Sequence, residues 1–339
     1  MIRSMHFLAI EKITFLYILL TSLIIFYLFP QLPNANQLLI NRLLIISTIS
    51  TLTYINSIKN WSIIRFLRFA FIGSMLSYWY PETFEINRIL PNFDFLLARW
   101  EQMIFGCQPA IEFCQLYPQQ WLNELMNMGY FSYYPMIICS SFYFYFFNRK
   151  YFKFFTFAVV FTFFCYYLIF IIFPTAGPQY YFKAIGMENV STATFPNIRM
   201  YFNTNEALLS SDGHIGFFNQ LVEKTQQLGE KPTAAFPSSH VGLSTLVMIL
   251  VLSNRRYILL GILSPFYILL VAATIYIQAH YAIDVIAGLA SAVLFYYFSI
   301  LSYQQITRKF YGVVEFRAAY LKEPIISKQQ DKELISKEI

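Results

Sequence analysis

Apolar residues fall into eight runs along the chain, about 13 to 30, 38 to 57, 61 to 80, 128 to 147, 152 to 173, 238 to 253, 257 to 277 and 281 to 303. Each approaches the roughly 20 residues that a bilayer-spanning helix needs. The pattern predicts an all-α, polytopic transmembrane helix bundle of about eight spans. Two segments between runs, 81 to 127 and 174 to 237, are longer, hold few Lys or Arg for their length, and contain Pro, Gly, Asn and Trp. They predict a cap on one side of the bundle. Within the first, residues 95 to 106 (FLLARWEQMIFG) and Trp121 to Met128 place apolar residues near helical spacing, as short interfacial helices or ordinary loop helices do. The composition then turns to Lys, Glu, Gln and Ser, so 304–339 reads as a charged cytoplasmic tail without fixed structure. The expected division is 1–80, N-terminal transmembrane helices; 81–303, the part carrying the chemistry below; and the tail.

A chain that is 57% hydrophobic and only 12% charged excludes a water-soluble domain. The net charge of +6 does not form a nucleic-acid-sized patch, so no nucleic-acid partner is expected. Its basic residues lie in short clusters at alternate connections: Arg3 and Lys12; Lys59, Arg65 and Arg68; Arg149 and Lys150; Arg255 and Arg256; Arg308 and Lys309. The positive-inside bias then makes those connections and both termini cytoplasmic and the cap extracytoplasmic. The first run has no small-residue cleavage site and reads as an uncleaved span. Arg42, Arg65 and Arg68 lie near span ends, where snorkelling suffices to explain them. The four cysteines form no CxxC pair and have no histidine at zinc-ligand spacing, so neither a metal nor another cofactor is expected. Cys107 and Cys114 share a loop and could be bonded in an oxidising compartment, whereas Cys139 and Cys165 read as packing residues.

Candidate chemistry rests on two of the four histidines. His240, in Phe236-Pro237-Ser238-Ser239-His240, and His280, in Ala279-His280-Tyr281-Ala282-Ile283-Asp284, are 40 residues apart. Two crossings fit between them, so both return to the same, extracytoplasmic, surface. His280 and Asp284 stand four apart, where a carboxylate can hold one ring nitrogen and leave the other free to attack. An aspartate just inside an apolar helix is costly and is usually paired. Ser238 and Ser239 open a helix whose N-terminus favours an anion, which makes them a phosphate seat or simply a cap. His240 beside that seat can donate a proton to a departing oxygen. His6 and His214 have no such context and receive no role.

At these residues the chain resembles the type-2 phosphatidic acid phosphatase superfamily, whose second and third motifs read Pro-Ser-Gly-His and Ser-Arg-x5-His-x3-Asp. Here they stand as Pro237-Ser238-Ser239-His240 and Thr274-x5-His280-x3-Asp284. The resemblance implies a six-helix phosphatase-like core over 81–303, with His280 as the nucleophile, Asp284 as its orienter, His240 as the acid, and Ser238 with the Ser239 N–H on the phosphate. Thr274 replaces the motif's arginine, Ser239 its glycine, and the Lys-x6-Arg-Pro of the first motif is missing. In its place stands Phe173-Pro174-Thr175-Ala176-Gly177-Pro178-Gln179-Tyr180, which resembles the Phe-Pro-x-Ala-Pro-Pro element of the inositolphosphorylceramide synthase-like branch. The stretches Phe105 to Pro109 and Gly129 to Pro135 are similar to that branch as well. Lys183, Arg199 and Lys231 of the cap are the candidates to neutralise the phosphate.

The resemblance implies an integral membrane lipid phosphotransferase or phosphatase. A phosphoryl headgroup of a lipid phosphate or phospholipid would pass through a phosphohistidine to a lipid alcohol or to water. A simple lipid phosphate phosphatase, acting on phosphatidate or an isoprenyl phosphate, is the alternative on the same site. A membrane transporter is the alternative of another class, with polar, Gly/Pro-broken spans at the midplane as its signature.

Overall fold

The computed structural model describes residues 6–205 and 216–307. His214 and the part of the expected tail after Thr307 lie outside them. Among the described residues the chain forms helices joined by loops: α1 (Ala9–Leu28), α2 (Ala35–Lys59), α3 (Ser62–Asn87), α4 (Asp94–Phe105), α5 (Pro109–Leu116), α6 (Gln120–Phe131), α7 (Tyr133–Phe147), α8 (Arg149–Ile172), α9 (Pro178–Ile185), α10 (Met187–Ser191), α11 (Phe217–Gly229), α12 (Ser239–Ser253), α13 (Tyr257–Tyr276) and α14 (Ala282–Thr307).

Every apolar run of the sequence falls on a helix, but length and hydropathy divide them. Five stretches are long and apolar enough to cross a membrane, as an integral membrane protein requires: Ala9–Gln31, which takes in α1 and the single 3₁₀ turn after it, with α2, α8, α13 and α14. The expectation of eight exceeds that number for three physical reasons. α3 is long, but Arg65, Arg68, Glu82 and Glu85 interrupt its apolar character. α7 and α12 have 15 residues each, about 22 Å at 1.5 Å per residue, short of a hydrocarbon core of about 30 Å. α3 also runs through residue 80, where the sequence placed a domain boundary.

The most buried of the five candidate spans is α8, whose Phe154, Phe155, Phe157, Tyr166 and Phe170 all lie in the core. α1, α3, α7, α12 and α14 pack around it, and one hydrophobic cluster joins the N-terminal helices to the rest. α12 and α14 approach each other through two glycines. A Cβ on Gly288 would lie 2.7 Å from the Ser238 carbonyl oxygen, and one on Gly242 would strike the Tyr166 hydroxyl. Contacts that close bring the N-terminal ends of α12 and α14 together, and with them His240 and Asp284.

α1, α2 and α3 are tied by two buried ion pairs, which correct the snorkelling expectation for Arg42 and Arg68. Arg42 of α2 donates to both carboxylate oxygens of Glu82 on α3, at 2.8 and 2.9 Å, and to the Thr21 hydroxyl of α1. Arg68 of α3 donates to both oxygens of Glu11 on α1, and Thr53 of α2 donates to the same carboxylate. Each cluster draws one group from each of three helices. An unpaired guanidinium at this depth would be costly, and a carboxylate on the neighbouring helix removes the need to reach the interface. Arg65 is different: it bonds the side chains of Asn60 and Ser62 on the surface.

Cys107 and Cys114 are not bonded to each other. The Cys114 thiol donates to the Ile111 carbonyl and lies 3.1 Å from the Gln278 amide nitrogen.

The ion pairs generate a prediction. Arg42→Met leaves Glu82 buried without its partner and lowers stability by about 3–5 kcal/mol. Arg42→Met with Glu82→Leu recovers most of that loss. Thermal unfolding of the purified protein in detergent measures both.

Candidate active site

Three loops meet where α8, α12 and α14 end or begin, and each is fixed by main-chain hydrogen bonds to another. Thr175 is central: its carbonyl accepts from Ala235 N and its hydroxyl from Phe236 N, so the loop after α8 carries the loop before α12. Gln179 N donates to the Gln278 carbonyl, and Ser238 N to the Asp284 carbonyl. Gly177 adopts φ 91°, a left-handed conformation that suits glycine, and a Cβ there would lie 2.7 Å from the Ala279 oxygen. The Phe173 to Tyr180 element, noticed in the sequence as a substitute for a basic motif, thus packs against both histidine-bearing loops.

α4 holds the junction from beneath with two carboxylates. Asp94 is fully buried and accepts from Asn92 Nδ2, Ala176 N, Gly177 N at 2.7 Å and the Tyr281 hydroxyl at 3.1 Å. Burial pushes its pKa up, and those donors pull it back. Seven residues on, two turns along the same face, Glu101 accepts from Ala282 N at the first turn of α14. Burial first, and then Asp284 nearby, push the Glu101 carboxyl up to about 8.

The two histidine rings stand 5.7 Å apart between centroids. His280 is 4% exposed, and its Nδ1 lies 2.9 Å from the Ala235 carbonyl oxygen and 3.5 Å from Asp284 Oδ2. A carbonyl can only accept, so Nδ1 carries the proton and Nε2 presents its lone pair. Burial lowers the His280 pKa from 6.5 to about 4, against the opposing pull of the Ala235 carbonyl and Glu230, so the ring is neutral at pH 7. Asp284 spends its Oδ2 on Tyr281 N at 2.9 Å, within the same turn. The nearest group on His280 Nδ1 is therefore the Ala235 carbonyl, with the Asp284 carboxylate behind it.

His240 lies between two tyrosine rings, Tyr130 at 4.7 Å and Tyr133 at 4.4 Å, and its Nδ1 is buried without a hydrogen-bond partner. Ser238 caps α12 through its hydroxyl, which accepts from Val241 N at 3.3 Å. It is fully buried, while Ser239 lines the cleft with both histidines. Of the three candidate cations, Lys231 lines that cleft; Lys183 and Arg199 do not. Thr274, at the position of the motif's arginine, gives its hydroxyl to the Val271 carbonyl of its own helix, and its carbonyl accepts from His280 N.

The sequence reading missed Glu230. Its carboxylate lines the cleft and accepts from the Tyr130 hydroxyl at 2.8 Å and from Gln179 Nε2 at 3.1 Å. Burial raises its pKa, and the surrounding donors and His280 lower it. A glutamate just after a helix, beside a lysine, carries no periodic or spacing signal that would have singled it out. Among the described residues no group of three or more His, Cys, Asp and Glu side chains is arranged to hold a metal ion.

All four groups bonded to Asp94 are donors, and an amide can accept on only one of its two atoms. Asp94→Asn therefore turns an NH₂ group onto a donor, shifts the loops and lowers turnover by about a hundredfold while the helices remain. Steady-state kinetics with circular dichroism on the purified variant checks both parts.

Comparison with known proteins follows the same residues. No curated protein and no solved structure matches the chain. Residues 96–298, more than half of the chain and the part that contains both histidines, Asp284 and α4 from Leu96 on, match the family model of the PAP2 superfamily. The chain belongs to the PAP2 superfamily.

Proposed function

We propose that this protein is a membrane-embedded lipid phosphotransferase or phosphatase that works through a covalent phosphohistidine at His280. The observation that carries the reading is the pair of imidazoles, with rings 5.7 Å apart at one cleft and His280 Nδ1 committed to a carbonyl. That arrangement leaves Nε2 as a neutral, oriented nucleophile and puts a second imidazole beside it to handle the proton. Superfamily membership supports action on a lipid phosphate.

In the first step the Nε2 lone pair of His280 forms a bond to phosphorus as the bond from phosphorus to the lipid oxygen breaks. His240, which takes up a proton when the anionic phosphate lies beside it, gives that proton to the departing oxygen, so the lipid leaves as an alcohol. In the second step water or a lipid alcohol attacks the phosphohistidine, the bond from nitrogen to phosphorus breaks, and the acceptor's proton returns to His240. Ser239 and Lys231 line the cleft in which the phosphoryl oxygens would sit and supply the polar contacts and positive charge that the missing motif arginines would have given. Asp284 supports the loop of His280 through Tyr281 N and lies 3.5 Å from Nδ1.

The finer assignment belongs to the same proposal. The Phe173 to Tyr180 element and Thr274 favour the inositolphosphorylceramide synthase-like branch, in which the acceptor is a lipid alcohol. The alternating basic connections favour eight spans, cytoplasmic termini and an extracytoplasmic site. The three helices that fall short in length or hydropathy would cross as members of a packed bundle.

Two outcomes are expected. With a phosphorus-labelled lipid panel, with and without diacylglycerol or ceramide, wild-type protein releases label to water or moves it onto the added alcohol, and His280→Ala does neither. Unchanged turnover in folded His280→Ala protein contradicts the mechanism. The pH profile of kcat/KM gives the second: burial keeps His280 neutral well below the ordinary histidine value, so activity shows no acid limb near 6.5. An acid limb at the ordinary histidine value would show that burial does not set this group.

A further inference from the structure

The chemistry above uses one side of the cleft. On the other side of His240 lies a larger, mostly apolar cavity of about 290 Å³, and Tyr80, Tyr130, Glu230, Ser239 and His240 line both spaces. His280 lines only the first. The cavity's walls come from Leu76 and Tyr80 of α3, Tyr133 and Ile137 of α7, and Phe163 and Tyr167 of α8. α3 and α7 both pack on α8, and at the far end Phe66 of α3 closes on Phe142 and Tyr145 of α7, at 6.5 and 5.4 Å between ring centroids. The side of the cavity is open: Gly73 and Ser77 of α3 and Tyr134 and Ile138 of α7 line it and are exposed on the outer surface of the bundle.

We propose that this cavity holds the hydrocarbon chain of the lipid phosphate, which enters sideways between α3 and α7 and places its ester oxygen at His240. The inference rests on the phosphohistidine reading and adds to it which end of the substrate goes where. In-line displacement puts the leaving oxygen opposite the attacking nitrogen, and a large apolar space joined to the cleft lies on the His240 side. The group expelled in the first step is therefore the long-chain alcohol, protonated by His240, and the small phosphoryl group stays on His280. An acceptor alcohol then attacks from the same side and uses the same cavity.

α3 lies outside residues 96–298, so one wall of the cavity comes from the N-terminal helices and the walls of α7 and α8 from the matched region. From Tyr80 to Gly73 the wall extends about 10 Å along the helix. Gly73 lines the cavity and a Cβ on it would meet nothing within 4 Å, so a side chain can be added there.

The test compares butyl phosphate with hexadecyl phosphate as substrates for the full-length protein in detergent micelles. Wild type prefers the hexadecyl ester, and in Gly73→Phe the hexadecyl-to-butyl ratio of kcat/KM falls about tenfold or more, the loss expected when two methylenes stay in water. Gly261→Phe serves as the control, because a Cβ there also meets nothing and α13 does not line the cavity; its ratio stays at the wild-type value. A ratio unchanged in folded Gly73→Phe protein overturns the proposal. A second measurement needs no variant: hexadecyl phosphate with a terminal diazirine labels α3, α7 or α8 of the wild type on irradiation, and labelling confined to other helices overturns it. Wild type that turns over neither phosphate overturns the phosphoryl-transfer reading itself, and this inference with it.

Discussion

The site depends on a carboxylate that takes no part in the proposed chemistry. Asp94 is buried from solvent with donors on both oxygens, and those donors belong to the loop after α8 and to the residue that follows His280. A buried charge is tolerable only when its hydrogen bonds are complete, so the loops can satisfy Asp94 in one arrangement and not in others. That arrangement seats Thr175 under Ala235 and Phe236, which in turn puts the Ala235 carbonyl on His280 Nδ1. The orientation of the His280 ring is thus the last link of a chain that starts on α4.

Packing sets the distance between the two imidazoles. Gly242 and Gly288 let α12 and α14 approach until the Gly288 Cα faces the Ser238 carbonyl, and the Ser238 N–H reaches the Asp284 carbonyl. Because both helices begin at this contact, the residues at their first turns have little freedom to separate. The N-terminal helices stiffen the opposite wall. Their ion pairs, Arg42 with Glu82 and Arg68 with Glu11, fix α3 against α1 and α2, and the α3 so held forms one side of the aromatic cavity beside His240.

The eight apolar runs, the helices at 95 to 106 and 121 to 128, and the closeness of His240 to His280 were legible because they depend on local periodicity and on how many residues a crossing needs. The span count was less so, since α7 and α12 are too short and α3 too charged to qualify by themselves. Arg42 and Arg68 were misread because position along a span says nothing about a carboxylate 40 or 57 residues away. Asp94, Glu101 and Glu230 stayed hidden for the same reason: their partners are loop N–H groups and hydroxyls 82 to 187, 181 and 100 residues distant, and they look like ordinary charges in a connecting segment. Ser238 was read as a phosphate contact or a cap, and its hydroxyl caps α12.

The central claim is a covalent bond between phosphorus and His280 Nε2, and trapping it tests the account most directly. Wild-type protein mixed with phosphorus-labelled lipid phosphate, quenched in alkali and digested, is expected to carry label that survives base, is lost in acid and maps to the peptide containing His280. Label on any other residue, or turnover with no protein-bound label at any quench time, would contradict it.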